Sequence, residues 1–297
     1  MKWSTSTILR KQIRQESLQI HNLCYCLTLP AMQRNASVKS LLAFSLLLTS
    51  IPALSQSAKG KTIVAVFAHP DDEQTTAAAL AKYASEGADV YLVSATDGRL
   101  GTAPHAHIPE GDSLAAVRKR ELACAAQALG IHPPIMLGLH DQMDMREGIN
   151  GVIRSLDSLR RALRRIFAEL KPDAIITWGG SGWTGHPDHM LVGDVVTEIF
   201  ASRTWPKHTN LYYIELPGGN LPPDYHFATT DLRYLTVQVH LSTADVSKAL
   251  TSWYCHKSQY TQETVNTMHG LLYKGTDPIA YFRPFIATKG VVKTLLP

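Results

Sequence analysis

Thr62-Ile63-Val64-Ala65-Val66-Phe67-Ala68-His69-Pro70-Asp71-Asp72-Glu73 is the segment from which the rest of the chain is best read. Its first half is an unbroken apolar run rich in β-branched residues, the composition of a strand buried on both faces. Its second half packs one imidazole and three carboxylates into five residues, at the point where that strand must end.

Outward from this segment, strands and helices alternate. Glu73 to Glu86 is Ala-rich with helical spacing and stops at Gly87, and Asp89 to Ser94 reads as a second strand. A Gly/Pro/His-rich loop over residues 97–112 leads to an amphipathic helix from Ser113 to Leu129, ended by Gly130, and to a short strand at Ile135 to Gly138. Residues 152–170 form a basic amphipathic helix whose arginines read as a solvated face. Pro172 ends it, and Asp173 to Trp178 is another apolar strand. After residue 211 come strands at Leu211–Leu216 and Tyr234–Leu241, a Pro-rich connection between them, and a helix from Thr243 to Gln259. The expected class is α/β: a Rossmann-like, mostly parallel sheet flanked by helices, one domain over residues 61–297 with a more irregular C-terminal part.

The strand ending at Trp178 is followed by a second histidine run, Gly185-His186-Pro187-Asp188-His189. Ligands of an open parallel sheet bind beyond the carboxyl ends of its strands, so two runs more than a hundred residues apart are expected to share one crevice. Imidazoles and carboxylates are the donors a zinc-like divalent ion takes. A hydrolytic site of that kind needs ligands, a carboxylate base and an oxyanion donor. His69, Asp71, Asp72, His186 and His189 supply that set. Ser94 and Ser181 have no nucleophile-elbow context, so serine hydrolysis has no support.

The chain has 297 residues, 45% hydrophobic and 18% charged, as in an ordinary globular protein, and its net charge of +4 gives no basis for a nucleic-acid partner. Residues 1–55 differ from the rest. Arg34 and Lys39 precede the apolar run Leu41 to Leu48, and Ala53-Leu54-Ser55 offers a small-x-small cleavage site. That order is a secretory signal over residues 32–55, with residues 1–31 a doubtful extension. Export to the periplasm or exterior is expected, an uncleaved membrane anchor being the alternative; the apolar run is short for a stable span. Of the four cysteines, Cys124 and Cys255 lie outside this leader. Cys124 sits in an apolar helical pattern and reads most simply as a small core residue, and a bridge to Cys255 has only the export signal in its favour. Nothing in the pattern sets an oligomeric state.

The paired motifs resemble the PIG-L/LmbE family of zinc-dependent N-deacetylases. Further likeness lies in Arg118-Lys119-Arg120-Glu121-Leu122, which resembles the family's Arg-x-x-Glu helix, in Leu137-Gly138-Leu139-His140-Asp141, and in His256-Lys257-Ser258-Gln259, which resembles its C-terminal His-x-Ser-Gln segment. The resemblance spans residues 61–260. It implies removal of an acetyl or other acyl group from an N-acetylglucosamine-type amino sugar by water activated on Zn2+ or another divalent metal. Its substrate partner would be a small molecule or glycan. It also implies metal ligands at His69, Asp72 and His189, a general base at Asp71, and at His186 the residue that stabilises the oxyanion or protonates the amine. Arg118 and Asp141 would contact the substrate. The likeness fails at Trp178-Gly179-Gly180-Ser181-Gly182-Trp183-Thr184, where mycothiol-type members carry an aspartate and a tyrosine. Cleavage within a larger amide conjugate, or sugar or metal binding without catalysis, are the alternatives. Asp71 as a helix cap, Glu73 and Asp188 as supporting carboxylates, and His256 in either a structural or a site role also remain open.

Overall fold

The computed structural model describes residues 57–202, 208–218 and 227–296; the signal segment at 32–55 and the extension at 1–31 lie outside the described residues. Nine strands occur among the described residues: β1 (Thr62–Phe67), β2 (Asp89–Thr96), β3 (Ile135–Leu139), β4 (Ala174–Trp178), β5 (Asn210–Ile214), β6 (Leu216–Pro217), β7 (Thr229–Thr230), β8 (Val237–His240) and β9 (Ile279–Pro284). The longer helices are α1 (Ala77–Ser85), α2 (Asp112–Leu129), α3 (Ile149–Leu170), α4 (Pro187–Ala201), α5 (Thr243–Trp253) and α6 (Gln262–Leu272).

Seven strands form one sheet in the order β3-β2-β1-β4-β5-β9-β8, and β6 pairs with β7 separately. The first five run parallel; β9 joins β5 antiparallel and β8 joins β9 antiparallel. The irregular C-terminal part therefore extends the main sheet instead of forming a layer of its own. β1 buries both faces, as its composition requires. Ile63, Ala65 and Phe67 pack with Leu80, Tyr83 and Leu122 from α1 and α2. Val64, Val66 and Ala68 pack with Leu159, Leu163 and Phe167 from α3 and Val192 and Val196 from α4.

This order places the crevice. From β1 the chain winds outward through β2 and β3, then returns to the other side of β1 as β4. The winding direction reverses between β1 and β4, the position at which open α/β sheets bind ligands. Both histidine runs leave the sheet there. The helix α4 approaches β4 closely: a Cβ on Gly193 would lie 2.5 Å from the carbonyl oxygen of Trp178, so only glycine fits without a shift.

Four expectations need correction. The helix expected from Glu73 begins as a 3-10 turn over Asp72–Thr75, and α1 starts only at Ala77. The helix expected to reach Gln259 ends at Trp253. The C-terminal elements α6 and β9 were not anticipated. Cys124 is exposed on α2 instead of packed in the core, and it forms a disulfide with Cys255. The basic face of α3 is solvated and ion-paired, with Arg160 and Arg164 both reaching Glu198 on α4. No helix of the described residues is long and apolar enough to cross a membrane.

Candidate metal centre and active site

The site is built where β1 and β4 end. Beyond Phe67 the backbone turns so that the amides of Ala68 and His69 both donate to Asp72 Oδ2, at 2.9 and 2.8 Å. Two backbone donors fix that carboxylate and leave Oδ1 facing outward. On the other side, Ser181–Gly185 forms a tight turn before α4, and Gly182 takes a φ of 57° while a Cβ there would come within 2.8 Å of His189 Cβ. His186 caps α4, its Nδ1 accepting from the Asp188 amide at 3.2 Å.

Each expected ligand has its second donor or acceptor already engaged. His69 Nε2 lies 3.1 Å from Asp188 Oδ2, and His189 Nδ1 lies 2.9 Å from the carbonyl oxygen of Gly182. Those partners accept, so the histidines donate there and leave His69 Nδ1 and His189 Nε2 as lone pairs. The His189 ring also stacks flat on Trp178, with centroids 4.2 Å apart and planes 5° apart.

The free atoms converge. His69 Nδ1 is 3.2 Å from His189 Nε2, and Asp72 Oδ1 is 3.3 Å from His189 Nε2. Asp72 Oδ2, held by the two amides, lies 3.6 Å from His69 Nδ1. Bonds of about 2.0–2.1 Å to a tetrahedral zinc-like ion put neighbouring donors roughly 3.3 Å apart, the spacing that His189 Nε2 keeps to both His69 Nδ1 and Asp72 Oδ1. The charges agree. Burial opposes a proton on His69, yet Asp72 and Asp188 push its pKa up to about 10, so the pocket draws positive charge. Burial likewise works against charge on Asp72, but His189 and His69 hold it well below the usual carboxylate range. His186 completes a group of three histidines whose ligand atoms lie within 4.8 Å of one another. Burial and the two neighbouring imidazoles lower its pKa, favouring the neutral ring.

Asp71 stands beside this group with a backbone φ of 111°, a value costly for a residue with a side chain. It starts the 3-10 turn without a side-chain cap bond, which removes the capping alternative. Its carboxylate accepts instead from Arg118 Nη2 at 2.7 Å and from the Tyr260 hydroxyl at 2.8 Å. Burial raises its pKa, Arg118 opposes the rise and Asp72 adds to it. A carboxylate of raised affinity for protons is what a general base requires.

The two residues expected at the substrate are committed to the protein. Arg118 is 3% exposed, and its guanidinium donates to the carbonyl oxygens of Pro70 and Gly98 as well as to Asp71. Asp141 is 6% exposed, its two oxygens accepting from the amides of Gly98 and Leu100 at 2.9 and 2.8 Å. Arg118 therefore ties Asp71 to the 97–101 loop, and Asp141 holds that loop. Glu73 and Asp188 are supports, as read from sequence: Glu73 accepts from the Asp71 amide at 3.0 Å, and Asp188 from the Gln142 amide at 2.7 Å. His256 is fully buried, its Nε2 2.6 Å from Glu73 Oε1. Exposed His105 reaches the carbonyl oxygen of Lys257 at 3.0 Å and stays off the metal cluster. Tyr260 and Trp178 were not anticipated as site residues; their only sequence signal is adjacency to the His-x-Ser-Gln segment and to the end of a strand.

Residues 64–200 match the PIG-L family model, described as GlcNAc-PI de-N-acetylase. A 1D-myo-inositol 2-acetamido-2-deoxy-alpha-D-glucopyranoside deacetylase of Nakamurella multipartita is 32% identical over 213 residues, 63% of this chain and 72% of that protein. The enzyme of the same name from Mycobacteroides abscessus is 27% identical over 266 residues, 77% of this chain and 92% of that protein. Among solved structures, N,N'-diacetylchitobiose deacetylase from Pyrococcus horikoshii shares the fold at a TM-score of 0.58 and 20% identity, over 86% of this chain and 95% of that one.

Proposed function

The chain belongs to the PIG-L family of de-N-acetylases, and from that premise we propose that it hydrolyses the acetamide of an N-acetylglucosamine-type amino sugar, with zinc as the cation. The observation that carries this reading is the convergence of His69 Nδ1, His189 Nε2 and Asp72 beside a second, separately held carboxylate, Asp71. Binding alone would need the first three; the fourth supplies a base.

His69, Asp72 and His189 would hold the cation. When bound, it supplies Lewis acidity, polarising the acetamide carbonyl and making water a better nucleophile. Asp71 takes the proton from the attacking water, its carboxylate aimed by Arg118 and Tyr260. The His186 ring, with Nδ1 occupied by the Asp188 amide, presents Nε2 toward the crevice. From there its Nε2–H stabilises the developing oxyanion, and the proton taken up by Asp71 passes to the leaving amine. The products are acetate and a free amino sugar. Incubation of the zinc-loaded protein with N-acetylglucosamine derivatives should release acetate in step with the new amine. Tight saccharide binding without acetate release would leave a binding protein and sink the deacetylase reading. Cleavage only of larger amide conjugates would reassign the substrate.

We further infer export, with an envelope or extracellular glycan as substrate. The support is the basic-apolar-small pattern at residues 34–55 together with the Cys124–Cys255 disulfide, a bond that persists in oxidising compartments. Fractionation that finds the processed protein in the cytoplasm would remove this inference.

A further inference from the structure

Arg118, Glu121 and Cys124 recur every third residue along α2, so their side chains leave successive turns on neighbouring positions of the helix surface. Each is tied to something distant in sequence. Arg118 reaches Asp71 Oδ1. Glu121 accepts from the Ser258 amide at 2.7 Å and from the Ser258 hydroxyl at 2.6 Å. Cys124 is bonded to Cys255, with Cα atoms 5.7 Å apart.

The last two ties act on the same piece of chain. After α5 ends at Trp253, residues 254–260 follow a series of turns, with the amides of Gln259 and Tyr260 both donating to the carbonyl oxygen of His256 at 3.0 Å. A segment of this kind has no regular ladder to hold it, so its position depends on side-chain anchors. The disulfide fixes its start, Glu121 its middle, and Gln259 adds a bond from its side-chain amide to the carbonyl oxygen of Gly101 at 2.9 Å. Its end is Tyr260, packed at a tilt against Trp253 with centroids 5.0 Å apart, and its hydroxyl donates to Asp71 Oδ2.

Asp71 is therefore gripped from both sides, one oxygen by α2 and the other by the segment bolted to α2. Its φ of 111° makes such a grip necessary, because a residue with a Cβ leaves that backbone region unless the surroundings over-determine it. We infer that Tyr260 is a positioning residue for Asp71, and that the Cys124–Cys255 disulfide acts on the site by holding the 255–260 segment that delivers the Tyr260 hydroxyl. Its catalytic consequence rests on the reading of Asp71 as the base; its structural consequence does not.

The test compares Tyr260→Phe, the paired Cys124→Ser/Cys255→Ser change, Glu121→Gln, and Tyr260→Phe combined with the cysteine pair. Acetate release, metal content and amide hydrogen exchange of the 69–76 segment are followed in each. Loss of a hydrogen bond to a buried charged group corresponds to roughly a ten- to hundredfold fall in kcat. We expect that fall in Tyr260→Phe and a smaller one in the cysteine pair, with KM and metal content kept. Exchange at 71–74 should be faster in both. The combination should be no worse than Tyr260→Phe alone, since the disulfide acts through the same contact. Should the cysteine pair fail to fold, Glu121→Gln reports on the same tie. Losses that multiply would overturn the link, and unchanged kcat and exchange in Tyr260→Phe would overturn the positioning role. If the wild-type protein releases no acetate, the proposed function fails while exchange at 71–74 still decides the grip.

Discussion

His69 Nδ1 and His189 Nε2 face each other across 3.2 Å, each with its opposite nitrogen donating to an oxygen, of Asp188 and Gly182 respectively. Two lone pairs so placed repel unless a cation or proton lies between them. At neutral pH the metal-free protein should therefore hold a proton on His69, whose pKa is pushed up to about 10 against burial by Asp72 and Asp188. Uptake of a divalent ion must displace it. Calorimetric titrations in buffers of different ionisation enthalpy should show at least one proton released per ion at pH 7. Uptake without proton release would mean that this histidine pair is not the metal centre.

Metal removal should also lower stability. An ion bound only by the folded state at a hundred times its Kd contributes about 2.7 kcal/mol. For a domain of this size, that is a melting shift of roughly 5–10 °C. A chelator should reverse it, and His189→Ala should neither gain the shift nor retain stoichiometric metal.

Asp71→Asn separates base from ligands. The amide still accepts from Arg118 or Tyr260 but takes no proton, so metal content should stay near one ion per chain. Turnover should fall by roughly 10²–10⁴-fold, the usual range for removing a general base. Zinc loss in this variant would move Asp71 into the ligand set.

The buried pair of His256 and Glu73 gives stability a pH dependence. Burial disfavours the imidazolium, but the Glu73 carboxylate outweighs it and raises the His256 pKa. A raised folded pKa means that the contribution is fully present below the unfolded value near 6.5 and is lost as pH rises through the folded value. His256→Gln should cost roughly 3–5 kcal/mol at pH 6, the range for breaking a buried pair. The gap from wild type should narrow in alkali. Urea unfolding at a series of pH values measures it, and a gap that widens with pH would refute the assignment.

Gly193→Ala tests the packing beneath the site. The added methyl would meet the Trp178 carbonyl oxygen at 2.5 Å, and overpacking of this sort costs about 1–3 kcal/mol. Because Trp178 stacks on His189, zinc affinity should drop together with stability. Unchanged zinc affinity in a destabilised variant would show that the stacking does not set the histidine.

The strands β1 to β4 were legible because each is a short apolar run bounded by turn residues, and the two histidine motifs were legible because donor types and strand ends coincide. β9 was not. It enters between β5 and β8, and no local signal in Ile279–Pro284 names either neighbour. The overrun of α5 has a similar origin: helical spacing continues past Trp253, but the His256 side chain is drawn to Glu73, and the helix gives way. Arg118 and Asp141 were recognisable as site residues, yet their partners were not. Which carbonyls and amides face a buried charge depends on loops that meet only in the folded chain, here at Pro70, Gly98 and Leu100.

The bond between Cys124 and Cys255 spans a sequence separation of 131, so it closes a ring that contains β3, β4, β5, α3 and α4. In the denatured chain such a ring removes a large set of extended conformations, and the loop-entropy relation places its effect at roughly 5 kcal/mol. Chains produced in a reducing cytosol would begin folding with that ring open. Yield and melting temperature should then differ between cytosolic and exported preparations of one and the same sequence, before any active-site residue is changed.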